Sequence, residues 1–93
     1  MTKETLLAAL EAERLKVSGD SVAVPEDRDA TFMVVSPGET IQVNRVVKVE
    51  AHDASLCLET AKGERFWFTY DVVLGARFRS AKMAKQHAAG FGR

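Results

Sequence analysis

Ninety-three residues with no net charge, 46% hydrophobic and 28% charged, fit one ordinary globular domain and leave no room for a second. No apolar run approaches the roughly 18–20 residues that span a bilayer, and the N-terminus lacks a signal-peptide layout, so the expected compartment is cytoplasmic. A single cysteine, Cys57, excludes an intramolecular disulfide and fits a reducing environment.

Residues 2–16 read as an amphipathic helix, with Thr2 placed to cap it, Glu4 in the first turn, and Arg14 and Lys16 in the last. Leu6, Leu7 and Leu10 form a narrow apolar stripe, extended by Ala9 and Leu15. The stripe either packs on the body of the domain or serves as a docking surface, including one for a homo-oligomer. Gly19-Asp20 breaks the helix, and residues 21–25 form a short strand ended by Pro25. After the charged loop 26–29, residues 30–35 are apolar nearly throughout, as expected of a central strand covered on both faces. Ser36-Pro37-Gly38 then makes a tight turn.

Residues 39–70 organise the chain as three consecutive antiparallel strands, 39–51, 55–60 and 64–70. Ile41, Val43, Val47, Val49 and Ala51 share one parity, and Leu56 with Leu58, then Phe66, Phe68 and Tyr70, repeat the alternation. A two-residue loop at Asp53-Ala54 sets Ala51 opposite Leu56 and Val49 opposite Leu58. The next turn decides which face is buried. A two-residue loop at Lys62-Gly63 would put Leu58 opposite Trp67. A three-residue loop, Ala61-Lys62-Gly63, puts it opposite Phe66, with Leu56 opposite Phe68. Each phenylalanine is worth roughly 1.5–3 kcal/mol when buried, so the three-residue loop with a left-handed Gly63 is preferred. On the outer face this register aligns Lys48, Glu59 and Arg65, and sets Cys57, pointing outward, beside Trp67.

Alternation of Val72, Leu74, Ala76 and Phe78 predicts a turn and then a final strand at 74–79, against a helix capped by Asp71 that Gly75 would weaken. A short basic tail, 80–93, follows. The predicted fold is mainly β: a small antiparallel barrel, or a half-open sheet with the N-terminal helix packed over one face. The order of elements is similar to that of SH3-like barrels, in which a single helical turn precedes the last strand. That likeness is one of architecture only.

His52, Asp53, Cys57 and Glu59 cluster in sequence, but turn placement and the lack of ligand spacing argue against a metal site. Neither His52 nor His87 is placed by sequence to activate Cys57. The glycines are explained by turns, not by a phosphate-binding loop. No cofactor is expected. Trp67 is a large aromatic on a face where a polar residue would serve, and with Arg65, Lys48 and Lys62 it forms the candidate binding constellation. The helix or tail covering Trp67 is the alternative. Charge is uneven: residues 1–30 hold seven acids and four bases, residues 31–75 six and four, and residues 76–93 five bases and no acid. Arg77, Arg79, Lys82 and Lys85 are therefore candidate contacts to an anionic partner. Two functions follow. One is a non-enzymatic protein-interaction module, a small regulator or adaptor, acting through Trp67. The other is a nucleic-acid-binding barrel using the basic segment and a base stacked on Trp67. The first is preferred because the body is acidic on balance.

Overall fold

Helix α1 runs from Lys3 to Ala12, and both of its ends are closed by the sequence around it. The computed structural model describes residues 1–80; residues 81–93, with Lys82, Lys85 and the rest of the expected tail, lie outside the described residues. Thr2 caps the N-terminus, its Oγ1 accepting from the Thr5 N–H at 3.1 Å. The C-terminus comes earlier than the stripe predicts. Arg14 turns left-handed (φ 63°), its N–H donates to the Glu11 carbonyl, and the Leu15 N–H reaches back to Leu10 at 3.1 Å. This paired closure stops the helix so that Leu15 can turn into the core beside Leu10. Arg14 and Lys16 are consequently outside the helix. Arg28 braces the same end, donating to the Glu13 carbonyl and pairing with its carboxylate.

Among the described residues eight strands follow: β1 (Val17–Ser18), β2 (Ser21–Ala23), β3 (Arg28–Ser36), β4 (Glu39–Val43), β5 (Val46–Ala51), β6 (Ser55–Thr60), β7 (Arg65–Thr69) and β8 (Val73–Ser80). A 3-10 turn, Tyr70–Val72, stands between β7 and β8. The short β1 was not legible from alternation, because two residues carry no period. The strands form two antiparallel sheets, β1-β2-β5-β6-β7 and β4-β3-β8. Among the described residues no ladder joins the sheets, so a closed barrel is not found and the SH3-like form is not established.

Three expectations need correction. The single strand 39–51 is two strands in different sheets: Arg45 takes a left-handed conformation (φ 54°) and the chain crosses from one sheet to the other at Asn44-Arg45. A register shift between Val46 and Lys48 then buries Val46 and turns Val47 outward, the reverse of the parity expected for Val47. Strand β3 is central in its sheet, but its outer face is only partly covered, since Val35 is exposed.

Both hairpin registers are as expected. Ala51 faces Leu56 and Val49 faces Leu58, while Leu58 faces Phe66 and Leu56 faces Phe68. The 61–63 loop has Gly63 at φ 86°, with the Gly63 N–H donating to the Thr60 carbonyl and the Thr60 N–H donating to the Glu64 carbonyl, each at 2.9 Å. One core joins the sheets. It contains Leu6, Leu10 and Leu15, then Val49, Leu56 and Leu58 from the larger sheet, and Phe32, Val34 and Val73 from the smaller. Leu6 and Leu10 are fully buried there and Leu7 packs against it, so the leucine stripe is used within the chain.

Two substitutions test these turns with opposite signs. No heavy atom lies within 4 Å of a Cβ built on Gly63, so the cost of Gly63→Ala is torsional, about 1 kcal/mol, with Gly63→Val costing more. Arg14→Gly removes the same kind of strain and should stabilise by up to about 1 kcal/mol. Denaturant midpoints check both; an unmoved midpoint for Gly63→Val would mean the loop is not left-handed.

Candidate functional site

Period-two alternation in β5, β6 and β7 places Lys48, Glu50, Cys57, Glu59, Arg65 and Trp67 on the outer face of the five-stranded sheet. The ladders align them in two rows, Lys48–Glu59–Arg65 and Glu50–Cys57–Trp67. Trp67 is 55% exposed, and α1 does not cover it. The ring is nevertheless held in place. His52 stacks on it with centroids 5.3 Å apart and planes 25° from parallel, and the Arg65 guanidinium lies 5.8 Å from its centroid.

Glu50 is the hub of this arrangement. Arg65 Nη2 donates to both carboxylate oxygens at 3.3 and 3.2 Å, Lys48 Nζ lies 3.5 Å away, and His52 Nε2 is 3.2 Å from Oε1. Lys48 and Arg65 thus turn to Glu50 and not to Glu59, which lies between them in the row. The His52 hydrogen bond, followed by the Arg65 and Lys48 charges, holds the Glu50 carboxyl below the usual carboxylate range against the opposing effect of partial burial. Glu50 and His52 were missed as site residues. The signal was available, since Lys48, Glu50 and His52 recur with period two, but His52 read as part of the turn.

Cys57 corrects another expectation. It lies on the outward parity but is only 2% exposed, and Arg65 Nε is 3.4 Å from its sulfur. Arg65 therefore spans Cys57 to reach Glu50. Asp53 pairs with Lys3 at 3.1 Å, and among the described residues no three potential metal ligands come together. Arg77 and Arg79 lie on β8, where Arg79 is paired with Asp29 at 3.0 Å.

Lys62 is placed elsewhere, along a groove of about 620 Å³ whose lining does not include Trp67. The groove runs between β4 and β7, each the last strand of its sheet. Ile41 and Val43 form one wall, Phe66 and Phe68 the other. The two phenylalanine rings stack with centroids 6.3 Å apart. Phe66 and Ile41 have the inward parity expected of them, yet are 36% and 40% exposed, because among the described residues no strand lies between the edges. Their expected place in the core is corrected accordingly.

The depressed Glu50 ionisation has a definite pH signature. A carboxyl held below its unfolded value adds stability above that value, about 4.5, and loses it as pH falls through the lower folded value. The difference in unfolding midpoint between the natural chain and Glu50→Gln should shrink as pH falls below about 4.5. A difference independent of pH down to 3 would remove Glu50 as an ionised hub.

No protein-family model, curated protein or solved structure matches the chain.

Proposed function

We propose that the protein is a non-enzymatic interaction module, a small regulator or adaptor, that binds a partner protein through the outer face of the five-stranded sheet around Trp67. The observation that carries this reading is an exposed tryptophan already held between His52 and Arg65, which are themselves tied to Glu50. A preoriented aromatic loses little entropy on binding, and tryptophan with arginine dominates many interface hot spots. The charges around it are two cations, Lys48 and Arg65, against two carboxylates, Glu50 and Glu59, so the face favours apolar and hydrogen-bonded contact over an anionic polymer. Cys57 is only 2% exposed, which supports a packed thiol over a nucleophile open to a substrate. On the nucleic-acid reading, Arg79 already has an acidic partner, and the other proposed contacts Lys82 and Lys85 lie outside the described residues.

The test begins with the intact chain as bait in native extract, followed by titration of the purified partner. Trp67→Ala should cost at least about 2 kcal/mol, roughly 30-fold in affinity. Raising salt from about 50 to 200 mM should weaken the complex only a few-fold. Five phosphate contacts would instead weaken binding roughly 500-fold over that range. A steep salt response with duplex or single-stranded probes, abolished by neutralising Arg77, Arg79, Lys82 and Lys85, would overturn the protein reading.

A further inference from the structure

The groove between β4 and β7 is a second surface, built from different residues than the Trp67 face. Among the described residues, strands β4 and β7 each end a sheet, so each has a side on which no described strand meets its backbone groups. Five residues long, each offers an edge of about 16 Å, the length of a five-residue strand. Between them lie the apolar walls, with Phe66 and Ile41 partly exposed.

One end of the groove is charged. The Ala61 N–H donates to the Arg45 carbonyl at 2.9 Å, which brings the 61–63 loop against the Asn44-Arg45 crossing. Arg45 and Lys62 both line the groove there, and among the described residues neither side chain has an ion-pair partner. Glu64, also in the lining, offsets only one of the two charges. Arg45 holds its position in a left-handed conformation that glycine would adopt more readily, so a cation is kept where backbone geometry favours its absence.

We infer that this groove takes an extended peptide segment of a partner protein, added as a strand, with apolar side chains at alternate positions and an acidic group at the Arg45–Lys62 end. Main-chain hydrogen bonds to an open edge supply affinity, and the aromatic wall and the two cations supply selection. The occupant belongs to another chain on grounds of charge, since residues 81–93 contain no aspartate or glutamate.

The experiment uses the full chain and three labelled, capped eight-residue peptides in which valine alternates with threonine. They differ only in one end residue: aspartate, asparagine or lysine. By fluorescence anisotropy the aspartate peptide should bind saturably, about fivefold tighter than the asparagine peptide, with the lysine peptide weaker still. The double variant Arg45→Gln, Lys62→Gln should erase that ranking while leaving residual binding. Phe66→Thr, which keeps strand propensity, should weaken every peptide at least about tenfold. Trp67→Ala should change none, which separates this site from the face proposed above. Amide exchange in β4 or β7 should slow when the peptide is saturating. No saturable binding, a lysine peptide as tight as the aspartate peptide, or loss of binding through Trp67→Ala would overturn the inference. So would concentration-dependent self-association abolished by Phe66→Thr, because the occupant would then be a second copy.

Discussion

Cross-strand register in β5, β6 and β7 is the constraint on which the rest of the structure depends. It is held by two loops, the two-residue turn at Asp53-Ala54, closed by the His52 N–H to the Ser55 carbonyl at 2.9 Å, and the three-residue turn ending in left-handed Gly63. A shift of one residue in β7 would exchange Trp67 for Phe66 and Phe68, converting the outer face and the groove together. Leu56 and Leu58, fully buried on the neighbouring strand, resist that shift because the same move would replace their phenylalanine neighbours with Thr69 and Trp67.

The second organising feature is the crossing at Asn44-Arg45. The β3–β4 hairpin belongs to one sheet and β5 to the other, so a chain that would otherwise make one long strand changes sheets within two residues. Thr31, nearly buried, donates to the Asn44 side chain at 3.3 Å, and the Arg45 carbonyl accepts from Ala61. These bonds satisfy polar groups at the crossing where ladder bonds stop. The leucines of α1 and Leu15 then complete the core shared by both sheets. Among the described residues no strand lies between β4 and β7, and the inward-facing Phe66 and Ile41 are partly exposed there.

On the outer face, a single carboxylate changes the character of the surface. A row of alternating charges along Lys48, Glu59 and Arg65 would be a solvated ladder of little energetic weight. Glu50 instead draws Lys48, Arg65 and His52 together, and in doing so places a guanidinium and an imidazole against the indole of Trp67. The same path of Arg65 across the sheet shelters Cys57. Binding surface and thiol protection therefore share one geometry.

Alternation and turn chemistry were sufficient for the antiparallel strands, the two hairpin registers, the helix cap at Thr2 and the outward direction of Trp67, because each depends on residues close in sequence. The β6 strand was legible for that reason, and so was the presence of the final strand, although Val73 and not Leu74 turns into the core there. The helix end was not, since Arg14 turns left-handed to bring Leu15 into a core assembled from distant strands. Nor was the break at Asn44-Arg45: both flanking segments alternate, and only membership of different sheets separates them. Exposure of Phe66, burial of Cys57 and the convergence on Glu50 were likewise decided by tertiary structure. Parity assigns a side chain to a face, but whether that face is covered depends on which strand or side chain lies across it.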